Sequence, residues 1–141
     1  MTLSAEETAR KSADVMWKDD RATQDLGAVL EKIGPGSSEL SMTVRESMVN
    51  GHGLCHGGYI FTLADSAFAF ACNSHNLRAV AQHCSISFLA PAKLNQKLIA
   101  SASEIHRAER SGVTDVTVRT ADGTVIAEFR GTSRIIGGTL F

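Results

Sequence analysis

The sequence has no surplus of charge: fourteen Lys and Arg stand against fifteen Asp and Glu, a formal net charge of −1. Without a basic excess there is no field to hold a polyanion, so nucleic acid is not expected as a partner. A long apolar run is also missing. The greasiest stretch, 59–72, is broken by Thr62, Asp65 and Ser66 and falls short of the ~20 residues needed to cross a bilayer, so no membrane partner is expected. The opening MTLSAEETARKSADV mixes acids and bases where an export signal would have a positive start and an apolar run; the expected location is cytoplasmic. Cysteine is scarce and odd in number, Cys55, Cys72 and Cys84, which in an unexported chain means reduced thiols and no disulfide. Aromatics are only 6% and prolines two, yet 43% hydrophobic against 21% charged is an ordinary globular balance, which argues against disorder, collagen-like repeats and coiled-coil arrays. The 141 residues suit a single domain, 1–141, around one core.

Ser4 and Glu7 have capping-box spacing, and Ala9, Ala13, Met16 and Trp17 share one helical face to about Asp19, so a short amphipathic N-terminal helix is expected. Residues 26–34 read as a strand, Gly34-Pro35-Gly36-Ser37-Ser38 as a turn, and Leu40, Met42 and Val44 as the inward face of a second strand in a hairpin. A glycine-rich loop, Asn50 to Gly58, leads into 59–74, where apolar residues leave no wide polar face. That pattern belongs to a helix enclosed by other structure. Alternation near 78–90, 97–107, 113–120 and 124–135 gives four more strands, with Asp122-Gly123 turning a hairpin and Pro91 ending a ladder. The expected class is α+β: an antiparallel sheet covering one buried central helix, preceded by a short N-terminal helix.

The glycine loop leaves free N–H groups at the helix N-terminus, where the helix dipole favours negative charge. Gly57 and Gly58 are candidate amide donors to an anion or to a carbonyl oxygen gaining charge in acyl transfer, although a loop that only turns the chain would look the same. Asp65 is a stronger signal. A carboxylate two turns inside an apolar helix is either hydrogen-bonded to Ser66 or Thr62, or capping a neighbour, or it is a base or nucleophile with perturbed proton affinity. Gly58 and Asp65, seven residues apart, stand ~10 Å apart along a helix axis, too far for one reacting centre. An amide of one chain and the Asp of another meeting across a two-fold axis resolves the distance, so a dimer with shared sites is expected. His52, Cys55 and His56 lack the spacing and further ligands of a closed zinc site, and no metal is assigned; Cys55 and His56, adjacent in sequence, make a poor nucleophilic dyad. On the strand after the helix, His83 and Ser85 share one face and Cys84 takes the other, so either His83 or Ser85 is a candidate to face the helix and the site.

The run Asn50-Gly51-His52-Gly53-Leu54-Cys55-His56-Gly57-Gly58, followed by Leu63-Ala64-Asp65-Ser66-Ala67-Phe68-Ala69-Phe70-Ala71-Cys72-Asn73-Ser74, resembles the hotdog-fold acyl-CoA thioesterases, and more narrowly the phenylacetate-degradation thioesterase family, PaaI. Ala79-Val80-Ala81, Phe88-Leu89-Ala90-Pro91, Phe129-Arg130-Gly131 and Ile136-Gly137-Gly138 extend the likeness over nearly all the chain from about residue 24. The resemblance implies a hotdog fold, dimers with a continuous sheet that commonly pair into tetramers, and hydrolysis of aromatic acyl-CoA thioesters of the phenylacetyl or hydroxyphenylacetyl type, with no cofactor. It implies Asp65 as general base or nucleophile, the Gly57 amide polarising the thioester carbonyl, Asn50 helping to hold that carbonyl, and His56 in a largely structural role. Gly58, Ser85, Phe61 and Phe68 are the further expected substrate contacts. A non-catalytic acyl-CoA-binding module and a hotdog hydratase or dehydratase are the alternatives; the latter would pair the carboxylate with His56 or His83.

Overall fold

The computed structural model describes residues 2–141. Helix α1 (Ala5–Asp19) begins where the sequence places it: the Ser4 hydroxyl accepts the Glu7 amide and the Glu7 carboxylate accepts the Ser4 amide. Two orphan donors of the first turn are thereby satisfied. Its inward face carries Ala9, Ser12 and Ala13, with Met16 and Trp17 packed against the core. A second, five-residue helix, α2 (Arg21–Asp25), follows at once, where the sequence pattern marks no element. It has no apolar period to read; what makes it is the Asp20 cap, whose carboxylate accepts the amide of Thr23.

Strands β1 (Val29–Gly34) and β2 (Ser37–Thr43) form the expected hairpin. It turns at Gly36, whose φ of +68° is a conformation that costs other residues more than glycine. Helix α3 (Gly57–Cys72) comes next, then β3 (Ala79–Phe88), β4 (Lys97–Arg107), β5 (Ser111–Thr120) and β6 (Val125–Ile135). All pairings are antiparallel, and the sheet order is β1-β2-β4-β5-β6-β3. The α+β hotdog expectation is met: α3 lies against the middle of the sheet, on β2, β4 and β5, and buries Leu63, Ala64, Ala67, Phe68 and Ala71. Among the described residues no helix is long and apolar enough to cross a membrane.

Three features of this frame shape the site. First, β3 is an edge strand of ten residues, paired on one side only with β6, and it leaves Val80 (45% exposed) and Phe88 (51%) in solvent. Second, the C-terminal tail folds back beside α1. The Asn76 side-chain carbonyl accepts the amides of Leu140 and Phe141, and the Lys11 ammonium sits 4.4 Å over the Phe141 ring. Third, the floor under α3 is tightly closed. Phe68 is 1% exposed, stacks 5.7 Å from Phe129, and lies so near Gly131 that a Cβ there would come within 2.8 Å of its ring. Gly131→Ala must therefore displace a buried ring from its packing on Phe129. We expect it to destabilise the protein by about 1–3 kcal/mol, read as a lower midpoint in thermal or urea unfolding.

Candidate active site

The loop before α3 is built by its own side chains. The Asn50 side-chain oxygen accepts the amides of His52 and Leu54, folding the loop back on itself. The His56 amide is bound to the Met48 carbonyl, and that of Cys55 to the Ala92 carbonyl. His56 is the N-cap of α3: its Nδ1 accepts the Gly58 amide at 2.9 Å. That corrects one expectation, because the Gly58 N–H is occupied by the cap and is not available to a substrate. The Gly57 N–H, in contrast, has no partner among the described residues, as expected of the first residue of a helix. Gly57 and Asn50 line one cleft of about 390 Å³, walled by Ile60, Phe88 and Leu89. The Asn50 amide nitrogen also has no hydrogen-bond partner among the described residues, so two donors, both without partners, border the same cleft. A Cβ at position 57 would sit 2.9 Å from the Phe88 ring, so any larger residue there must push that ring outward.

Asp65 lies two turns further along α3. Neither of the hydrogen bonds that would make it structural is formed: the Thr62 hydroxyl donates to the Gly58 carbonyl, and that of Ser66 is bound to Thr23. Its one hydrogen-bond partner among the described residues is the Cys84 thiol, with Sγ 4.0 Å from Oδ1. Burial pushes the Asp65 carboxyl above its ordinary range, and the negative charge of Asp20 adds to the shift. The thiols respond in the same way: Cys84 is raised by burial and by Asp65, and Cys72 is pushed up to about 12. Asp65 opens into a second cleft of about 360 Å³, with apolar walls from Met16, Phe68, Val80, Ile136 and Leu140 and with Arg78 among its lining residues. The tail and α1 thus supply walls of the Asp65 cleft.

The strand after the helix differs from expectation. Cys84 and Ile86 pack on the core, so Cys84 faces Asp65, while His83 and Ser85 are exposed. Burial of the two apolar side chains decides which face turns inward, and Ser85 is excluded from the helix side within this chain. A bulge between Ala81 and His83 adds a parity change: Ala79 packs inward before it and Cys84 after it. Phe61 lines neither cleft; it meets Phe129 edge-on, with ring centroids 5.5 Å apart. Phe68 borders the Asp65 cleft, but only from within the core. Of the sequence-predicted residues, then, Asn50 and Gly57 are brought together, Asp65 stands apart from them, and His56 and Gly58 form the cap between. Arg130 is held by both oxygens of Asp115.

The geometry can be set against known proteins. Residues 52–127 match the thioesterase superfamily. The Escherichia coli (strain K12) protein named acyl-coenzyme A thioesterase PaaI is 41% identical over 132 residues, covering 94% of each chain. The solved structure of the E. coli PaaI protein from the phenylacetic acid degradation operon superposes with a TM-score of 0.95 at 40% identity, covering 96% of this chain and 99% of that one. A Streptococcus mutans protein solved with acetyl CoA bound has a TM-score of 0.77 at 28% identity, over 79% of this chain and 90% of its own. With a carboxylate lacking hydrogen-bond partners beyond a thiol, two open donors at a helix N-terminus and these likenesses together, the chain belongs to the thioesterase superfamily, as an acyl-CoA thioesterase of the hotdog fold and the PaaI type.

Proposed function

We propose that this enzyme hydrolyses arylacetyl-CoA thioesters, of the phenylacetyl or hydroxyphenylacetyl kind, to the free acid and CoA, in a site that two copies of the chain complete together. The observation that carries the reading is the separation of its parts. Gly57 and Asn50 border one cleft and Asp65 another, and eight residues of helix put them about 12 Å apart along the axis. A base and an oxyanion donor must each lie about 3 Å from the atoms they serve, so the Gly57 end of one copy works with the Asp65 of the next. The unpaired edge of β3 supports such a pairing: it is a ten-residue template for antiparallel addition, and it runs beside both clefts, Val80 lining one and Phe88 the other. Dimers of this kind associating into tetramers, from a chain acting as one domain over 1–141, in the cytoplasm, complete the proposal.

In the reaction, the thioester carbonyl oxygen lies against the Gly57 amide and the Asn50 amide group. Asp65 takes a proton from water as its oxygen attacks the carbonyl carbon, charge accumulates on the carbonyl oxygen, and the α3 dipole and both donors stabilise it. The C–S bond then breaks, CoA thiolate leaves and is protonated, and the acid remains. A carboxyl with raised proton affinity is the better base for this step. His56 acts only through the cap.

The aromatic assignment rests on the names of the relatives and on the apolar walls around Asp65. Its test is thiol release from phenylacetyl-, hydroxyphenylacetyl-, benzoyl-, acetyl- and long-chain acyl-CoA. We expect kcat/KM for the arylacetyl esters to exceed that for the aliphatic ones by at least about tenfold, as one ring's burial allows. Equal or better rates on aliphatic esters would overturn the aromatic assignment.

A further inference from the structure

The N-terminal helices reach the turn of α3 that carries the reacting carboxylate through a chain of hydroxyls. Asp20, at the N-cap of α2, accepts on both oxygens: Oδ1 from the Thr23 amide at 3.0 Å and Oδ2 from the Thr23 hydroxyl at 2.7 Å. The Thr23 hydroxyl also lies 2.8 Å from the Ser66 hydroxyl. A threonine hydroxyl has one hydrogen, and it is spent on Asp20, so Ser66 must be the donor in the second bond. The chain is therefore directional, from Ser66 to Thr23 to Asp20, and ends on a negative charge. Thr23 is 1% exposed and Ser66 9%, so water does not compete for these bonds. Ser66 is the immediate neighbour of Asp65 on α3.

We propose that Asp20 is a positioning residue for the thioesterase reaction: anchored through Thr23 and Ser66, it holds the turn of α3 that carries Asp65 and sets a fixed like charge beside that base. The proposal rests on the reading of Asp65 as the base. Its consequence is electrostatic. Burial is the larger cause of the raised Asp65 proton affinity, and the Asp20 charge adds to it, because a negative charge in a poorly solvated surrounding disfavours a second one. The other groups facing Asp65 do not supply this. Cys84 on β3 and Cys72 on α3 are both raised by burial and stay neutral thiols in the working range, and Arg78, on the loop before β3 and lining the same cleft, carries the opposite sign of charge. Ser66 also explains its own place on an apolar helix: its hydroxyl is the joint between α3 and the N-terminal helices.

The test is the pH dependence of kcat/KM on the best acyl-CoA for wild type, Asp20→Asn and Asp20→Ser. Both replacements cap a helix, so α2 is retained, and circular dichroism and thermal melts on the same samples establish that the variants fold. With the charge gone, the acidic limb of the profile is expected to move to lower pH in both variants, because Asp65 then ionises more easily. The substrate's own titration is common to all three proteins and cancels in the difference. A merely structural role would lower the rate or the melting temperature and leave the limb in place, and that result overturns the proposal. Asp65→Asn separates the two readings. If it is inactive while the Asp20 variants keep the wild-type limb, only the role of Asp20 falls; if Asp65→Asn still releases thiol, the base assignment and this proposal fall together.

Discussion

Asp65→Ala is expected to lower thiol release from the preferred acyl-CoA by at least about 100-fold with the fold intact, the loss typical of removing a positioned base. The fold should survive because the carboxylate contributes little to it: among the described residues its one hydrogen-bond partner is the Cys84 thiol at 4.0 Å. Removing it should in fact stabilise the protein at neutral pH. Burial and the Asp20 charge raise the Asp65 proton affinity in the folded chain, so the folded state binds the proton more readily than the unfolded one, and stability falls as pH rises through the folded titration. Above it, the ionised Asp65 is a cost that alanine or asparagine does not carry; at acid pH, where Asp65 is protonated in both states, that difference closes. A melting temperature higher than wild type at neutral pH, converging toward it on acidification, together with the rate loss, is the expected combination. His56→Ala supplies the contrast. It removes the acceptor of the Gly58 amide and should cost about 0.5–2 kcal/mol of stability as a lost cap, with a far smaller effect on rate. A variant without Asp65 that turns over near the wild-type rate would sink the assignment of the base.

Mixing two inactive variants should restore activity. Asn50→Ala disables the donor end of the site and Asp65→Asn the base end, and the structure puts these residues on separate clefts of one chain. If each working site takes its donors from one copy and its base from the other, a mixed dimer holds one site with both lesions and one with neither. Random assortment after co-refolding equal amounts gives half mixed dimers, and hence about a quarter of wild-type sites. The expected result is a rise from residual turnover in either pure variant to about one quarter of wild type in the mixture. If the sites lay within single chains, mixing would restore nothing. Asn50→Ala also removes the oxygen that accepts the His52 and Leu54 amides, so the loop loosens in that variant. The intact site of the mixed dimer uses the other copy's loop and is untouched by it.

Much of the fold was readable along the chain because it is written in local periodicities. The capping box at Ser4, the alternation of β4 to β6 and the all-round apolar pattern of α3 each follow from the burial a segment needs, whatever its neighbours. Asp65 and Gly57 stood out for the same reason: a carboxylate in an apolar helix and glycines at its start conflict with local expectation. What local pattern could not supply was α2, which depends on one cap and has no apolar stripe, and the facing of β3. There, two apolar side chains and a bulge turn Cys84 toward Asp65 and send Ser85 outward.

The sequence by itself determined the elements, the buried helix and the chemical types at the site, because these depend on spacing within single segments. Only the tertiary structure decided which groups are free to react. It assigned the Gly58 amide to the His56 cap and left that of Gly57 open, took Ser66 away from Asp65 by joining it to Thr23, and brought Met16, Ile136 and Leu140, from the two ends of the chain, together as walls of one cleft. The reason is physical: whether a polar group is satisfied, and how far a carboxyl is desolvated, depends on what packs against it from distant parts of the chain.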